Sequence, residues 1–170
     1  MSGPIHLARR FFGALSPRPL DPADDAWVHG ILNPGEAGLW ERMSLADRKH
    51  AAGVAREVAA TLEDPGPGVL AAALLHDVGK VESRLGTVAR AVATVVAAVV
   101  GRGRATGWGG DGLRGRVSGY LRHDEIGADL LAAAGSEPVT VTWAREHHLD
   151  PGRWTLDPVV ATALAAADDD

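Results

Sequence analysis

Apolar residues recur at helical spacing along most of the chain, and no segment shows the alternation that is typical of a strand. Asp21, Ser44 and Asp157 are each placed to cap a helix that follows, and prolines occupy first-turn positions. The pattern predicts helical segments over residues 4–15, 21–32, 36–42, 44–62, 67–77, 87–100, 113–135 with a junction near His123, 138–148 and 157–168. The predicted fold class is therefore all-α.

The segment Val69–Leu75 is apolar on all sides, as expected of a central helix that is covered by its neighbours. His76 and Asp77 come at its end, Gly79 is placed to end it or to turn the backbone, and Lys80 follows. An imidazole next to a carboxylate offers one N and one O ligand, a combination that suits Fe, Mn, Co, Ni or Zn. This dipeptide is a candidate metal site, although two ligands alone do not make one.

Further candidate ligands lie on both sides of this dipeptide. His50 shares a helix face with Val54 and Val58, and Asp168 shares one with Leu164, because residues four apart on a helix are neighbours. The remaining candidates are His123 and the pair His147-His148. For His50 a hydrogen-bonded core histidine is the alternative interpretation, for Lys80 a surface cation at a helix end, and for Asp168 a solvated tail.

In this order the motifs resemble those of the HD-domain metal-dependent phosphohydrolases, over residues 44–170. The segment from His123 to Ala128 is similar to the His-x-Glu-Ile-Gly-Ala segment of the HD-GYP group, and Glu146-His147-His148 is similar to that group's double histidine. The resemblance implies an HD-domain helical bundle and a site with two metals. It also favours His147 as the ligand of the pair, and an Ala-Asp ending favours Asp168 over the two aspartates that follow.

The resemblance implies different roles for these residues. Two divalent ions per chain are expected, from among Fe, Mn, Co, Ni, Zn or Mg, with Asp77 as a bridge. Asp77 and Lys80 are the expected catalytic residues, because an ammonium beside the metal position can hold a phosphate oxygen of the substrate or stabilise charge on the attacked phosphorus. Second-layer or substrate contacts are assigned to His148, Asp124 and Arg122. The complete set of expected metal ligands is His50, His76, Asp77, His123, His147 and Asp168.

The implied function is hydrolysis of a phosphate ester or anhydride of a nucleotide-type small molecule by metal-activated water. Leu149 to Trp154 follow the double histidine where the HD-GYP group has Gly-Tyr-Pro, which argues against cyclic dinucleotides as substrates. Two alternatives stay open. One is an HD-domain diiron oxygenase acting on a small polar substrate, which uses a similar ligand set; the other is a catalytically silent nucleotide-binding module.

Length and composition limit the possible domain organisation, metal ligands, partners and cellular location. A length of 170 residues predicts one domain, with residues 1–43 as a helical lead-in to a metal-binding core over 44–170. Zero cysteines exclude thiolate ligands and disulfides, and a net charge of -5 argues against duplex nucleic acid as a partner. The start of the chain has no signal-peptide pattern, and no apolar run reaches the ~20 residues that span a bilayer. A cytoplasmic protein without a membrane partner is expected, and its oligomeric state is not predicted.

Overall fold

The computed structural model describes residues 19–83 and 112–169, together with residues 101, 106, 107 and 110. These residues form helices and connecting turns and contain no strand, so the predicted all-α fold class is confirmed for them. The predicted helices over residues 4–15 and 87–100 lie outside the described residues. The helices are α1 (Pro22–Ile31), α2 (Pro34–Arg42), α3 (Leu45–Thr61), α4 (Pro67–Leu75), α5 (Lys80–Ser83), α6 (Leu113–Leu121), α7 (His123–Ala133), α8 (Pro138–Glu146) and α9 (Pro158–Asp169), with a 3-10 turn at Pro151–Arg153.

The predicted N-caps of α1, α3 and α9 are confirmed by backbone hydrogen bonds. Asp21 accepts from the N–H of Ala23, and the Ser44 hydroxyl oxygen accepts from the N–H of Asp47. Asp157 Oδ1 accepts from two N–H groups in the first turn of α9. Each cap satisfies helix N–H groups that lack a partner within the helix.

The start of α2 differs from the prediction. The helical pattern predicts a helix over residues 36–42, but α2 already begins at Pro34. Asn33 is the N-cap: its side chain accepts from the N–H of Glu36, and the Glu36 carboxylate accepts from the N–H of Asn33. This reciprocal capping box outweighs the turn tendency of Pro34 and Gly35, because proline is well suited to the first position of a helix.

Helix α4 is the centre of the bundle, as its uniformly apolar sequence predicts. It packs against α1, α2, α3 and α8, and its residues from Ala71 to Leu75 are all buried. Helix α8 also packs against α7, and α9 packs against α3. Two helices that contact α4, namely α3 and α8, therefore carry candidate ligands, and α7 and α9, which carry the others, pack on those two helices.

A close backbone contact joins the turn after α4 to the start of α7. A Cβ atom at Gly79 would lie 1.9 Å from the carbonyl oxygen of His123 and 2.6 Å from the nitrogen of Gly127. The two backbones can therefore approach this closely only because position 79 has no side chain. This contact sets the distance between the His76-Asp77 dipeptide and His123.

Helices α1 and α2, within the predicted lead-in, pack on α4. The division into a lead-in and a core stays a prediction. Within the described part of the chain, no helix is both long enough and apolar enough to cross a membrane.

Candidate metal centre

The predicted ligands come from five segments of the chain that meet at the C-terminal end of α4. His76 and Asp77 lie in the turn that follows α4, and His123 is the first residue of α7. His147 is the C-cap of α8. His50 projects from α3, and Asp168 lies in the last turn of α9. Residues separated by up to 118 positions in the chain thus come into direct contact, as in the His50–Asp168 pair.

The Asp77 carboxylate lies between the imidazoles of this cluster. Its Oδ1 is 3.2 Å from Nε2 of His123 and 3.8 Å from Nε2 of His147. Its Oδ2 is 3.5 Å from Nε2 of His76. The two oxygens therefore face different histidines, which is the arrangement that a carboxylate bridging two cations requires.

The backbone fixes the orientation of three of the imidazoles. Nδ1 of each ring lies at hydrogen-bond distance from a carbonyl in the preceding helical turn: 2.9 Å for His76 to Ala73, 2.7 Å for His123 to Tyr120 and 3.0 Å for His147 to Ala144. A carbonyl oxygen can only accept, so each Nδ1 must carry the hydrogen. In the neutral ring, Nε2 then carries a lone pair, and all three Nε2 atoms lie within 3.8 Å of an Asp77 carboxylate oxygen.

A neutral ring of this tautomer faces the negatively charged carboxylate with a lone pair, so neither group can donate a hydrogen bond to the other. Nε2 of His76, Nε2 of His147 and Oδ1 of Asp77 are buried and have no hydrogen-bond partner among the described residues. Buried polar atoms are normally satisfied, so such a convergence of acceptors calls for a cation. The donor set of imidazole nitrogen and carboxylate oxygen suits a divalent transition metal, and the residues therefore fit the expected cofactor.

Protonation of His147 does not resolve this mismatch at neutral pH. Burial, together with the neighbouring imidazoles of His76, His148 and His123, lowers the pKa of His147 to about 3. Its side chain is only 1% exposed. The ring therefore stays neutral and keeps its lone pair, which is the form that binds a metal.

Asp77 stays ionised in spite of its burial. Burial by itself would raise the pKa of its carboxyl, but the positive charge of the adjacent Lys80 ammonium is the largest opposing effect, and the pKa lies well below its usual range. The Lys80 ammonium is in contact with Oδ2. Burial by itself would lower the pKa of Lys80, and the charge of Asp77 raises it above its usual value instead. The pair is thus a buried ion pair at the edge of the cluster.

Asp168 pairs with His50 on the more open side of the cluster. Its Oδ1 is 2.8 Å from Nε2 of His50 and 3.6 Å from Nε2 of His76. Burial by itself would raise the pKa of the Asp168 carboxyl, but the hydrogen bond from His50 and the proximity of His76 hold the pKa well below its usual range. An ionised Asp168 is a suitable ligand for a cation.

Two groups of side chains have donor atoms close enough to hold a cation, and Asp77 belongs to both. The first contains His50 and His76, and the second contains His123, His147 and His148. Within each group the donor atoms lie within 4.8 Å of one another. The geometry is thus compatible with metal binding on both sides of Asp77.

Of the three residues predicted to contact the ligands or the substrate, His148 lies next to the ligands, whereas Arg122 and Asp124 contact Glu125. His148 lies at the cluster, with its Nε2 3.2 Å from Nε2 of His123. The guanidinium of Arg122 instead contacts Glu125 at 3.0 Å, and Asp124 Oδ1 accepts from the N–H of Glu125. Among the contacts of the described residues, none joins Arg122 or Asp124 to the predicted ligands, so their assigned role stays a prediction.

Tyr120 supports the centre in a way that the sequence analysis missed. Its carbonyl fixes the tautomer of His123, and its ring stacks on that imidazole at 5.7 Å between centroids. The sequence does contain a signal for this contact. Tyr120 lies three residues before His123 in a predicted helix, so its carbonyl belongs to the turn that precedes the histidine.

Glu146 is part of the double-histidine motif, although the sequence predicts no role for it. It is buried, and its carboxylate accepts from the N–H of Thr155 at 2.7 Å and from the hydroxyl of Thr155 at 2.6 Å. The adjacent Trp154 packs edge-on against Trp143, whose ring lies 6.3 Å from that of His147. Glu146 thereby ties the segment after α8 to the helix end that carries His147.

Comparison with protein-family models, with curated proteins and with solved structures gives no match for this chain. The site is therefore supported by the geometry of the chain itself, which is a helical bundle with a His/Asp cluster that could bind metal.

Proposed function

We propose that this chain is a metal-dependent phosphohydrolase of the HD-domain type, acting on a phosphate ester or anhydride of a nucleotide-type small molecule. One observation carries the proposal. The buried carboxylate of Asp77 is shared by two groups of histidines, and the Nε2 atoms of His76 and His147 that face it are buried without a hydrogen-bond partner among the described residues. The order of the motifs along the chain supports the assignment to the HD-domain superfamily.

The chain's own residues have distinct tasks in this proposal. His50, His76, Asp77 and Asp168 would hold one divalent ion, and Asp77, His123 and His147 would hold the second. A pair of divalent ions lowers the pKa of water toward neutrality and polarises the oxygens of a phosphoryl group. Because the imidazoles are neutral ligands, the loaded centre retains positive charge, which favours an anionic substrate.

Lys80 has a positioning task and a binding task in this proposal. Its ammonium contacts Asp77 Oδ2, which orients the carboxylate between the two groups. A long, flexible ammonium at this edge could also bind a phosphate oxygen and stabilise negative charge that develops during phosphoryl transfer.

The proposal is tested by counting metal ions per chain and assaying phosphate release on the same sample. The wild-type protein is expected to hold ~2 ions and to hydrolyse a generic phosphodiester or phosphomonoester in a metal-dependent way. Asp77→Asn keeps the shape of the side chain but removes its charge, and should lose both metal and activity. Asp129→Asn, at an exposed aspartate on α7, is the matched control and should retain both.

Three outcomes would contradict the proposal. An Asp77→Asn variant that keeps its metal and its activity would refute the assignment of Asp77. Iron-dependent uptake of dioxygen without phosphate release would point to an oxygenase. A wild-type protein that binds no divalent metal would indicate a catalytically silent module.

A further inference from the structure

The candidate centre has two halves that differ in burial. The inner half consists of Asp77 Oδ1 with His123 and His147, whose side chains are 5% and 1% exposed. The outer half consists of Asp77 Oδ2 with His76, His50 and Asp168, and the last two are each 28% exposed. The inner half is therefore shielded from water by the bundle, whereas the outer half is open at the His50–Asp168 edge.

The donor atoms of the outer half are largely engaged with one another. Asp168 is an ionised acceptor, so the 2.8 Å contact requires that His50 Nε2 carries the hydrogen. To bind a cation through Nε2, His50 must change its tautomer and give up this hydrogen bond. Asp77 Oδ2 is likewise engaged by the Lys80 ammonium. In the outer half, His76 is the residue whose Nε2 is already bare.

The inner half is already arranged for a cation. Oδ1 of Asp77 and Nε2 of His147 are buried without a hydrogen-bond partner among the described residues, and backbone carbonyls already set both imidazole tautomers. Nε2 of His123 accepts from Nε2 of His148. His148 is exposed, so it can turn toward water or add its own ligand atom when His123 binds a cation.

Preorganised ligands bind more tightly, because the cost of arranging them is met during folding. From this asymmetry we infer that the inner half binds a divalent cation first and more tightly, and that the outer half holds an exchangeable cation. The inference rests on the proposed metal-dependent function. The protein with one metal is then an inactive form. Its rate of turnover depends on the concentration of free divalent cation, because the outer half must be occupied for activity.

The experiment is a Co²⁺ titration of the metal-free protein, followed by equilibrium dialysis and by visible absorption, which reports the ligands around Co²⁺. Two binding steps are expected, separated by at least ~10-fold in dissociation constant. Asp168→Asn should weaken the second step and leave the first unchanged. His147→Ala should abolish the first step. Asp169→Asn, at the exposed neighbouring aspartate, and His29→Ala, at an exposed histidine that pairs with Glu41, are the controls and should change neither.

The outcomes separate this inference from the proposed function. Loss of the tight step in Asp168→Asn would overturn the order of binding, and this result does not depend on whether His147→Ala folds. Two steps of equal affinity in the wild-type protein would also overturn it, while leaving the two-metal hydrolase in place. Absence of any Co²⁺ binding would instead refute the proposed function itself.

Discussion

At the scale of single residues, the centre depends on groups that never face a cation themselves. Backbone carbonyls of Ala73, Tyr120 and Ala144 set the tautomers of three histidines. Glu146 fixes the segment after α8 by accepting two hydrogen bonds from Thr155. Such outer partners determine whether a ligand is held in the right orientation.

The Glu146–Thr155 contact gives a test at this scale. Thr155→Val keeps the side-chain shape but removes the hydroxyl donor, so the buried carboxylate loses one of its two partners. We expect a loss of ~1–3 kcal/mol in the free energy of unfolding, measured by urea denaturation. Thr155→Ser retains the hydroxyl and should lose much less. Equal losses in the two variants would show that the methyl group, and not the hydrogen bond, matters.

At the scale of elements, the decisive contact is the one between the turn after α4 and the start of α7. Gly79→Ala would place a Cβ atom 1.9 Å from the carbonyl oxygen of His123, so the two backbones would have to separate. We expect a loss of at least ~1–3 kcal/mol in the free energy of unfolding. Metal affinity should also fall, because His123 would move away from Asp77.

Gly53→Ala is the matched control for this substitution. Gly53 is exposed within α3, and its Cβ would meet nothing within 4 Å. Alanine is favoured over glycine inside a helix by ~0.5–1 kcal/mol, so this variant should be slightly more stable than the wild type, with unchanged metal binding. A Gly79→Ala variant that behaves like Gly53→Ala would contradict the role of the close contact.

The difference between these two glycines shows which features of the fold can be predicted from the sequence and which cannot. Caps such as Asp21 and Ser44, and the apolar helix α4, depend on near neighbours in the chain and could be predicted. The approach of His123 to Gly79 depends on how distant helices pack, which no local pattern contains. The candidate ligands could be named in advance, whereas the pairing of Glu146 with Thr155 could not, because it depends on how the segment after α8 turns back onto the helix.

At the scale of the whole molecule, a cluster of acceptors at the centre of the bundle links metal binding to stability. A cation that binds the folded state alone stabilises it by ~2.7 kcal/mol at a free concentration of 100 times its dissociation constant. Thermal unfolding of the wild-type protein should therefore shift upward on addition of divalent metal and return on chelation. Asp77→Asn should show no such shift, and a full shift in this variant would mean that the metal binds elsewhere.

The metal-free protein should in turn lose stability as the pH falls from 6.5 to 5. The pKa of His147 is about 3 in the folded state and near 6.5 when the chain is unfolded, so in this range the unfolded state binds more protons. Its contribution to the free energy of unfolding should decrease by ~2 kcal/mol. Asp77 and Asp168 have lowered folded-state pKa values, so their stabilisation is present above the unfolded-state value of 3.8 and is lost only at lower pH.

Urea denaturation of the metal-free protein at several pH values between 5 and 6.5 measures this slope. His147→Gln removes the titrating ring and should flatten the profile by the amount that His147 contributes. His29→Gln, at an exposed histidine, is the control and should leave the slope unchanged. An unchanged slope in His147→Gln would show that the imidazole is not held neutral inside the bundle, and would remove the argument that its lone pair is available for a metal.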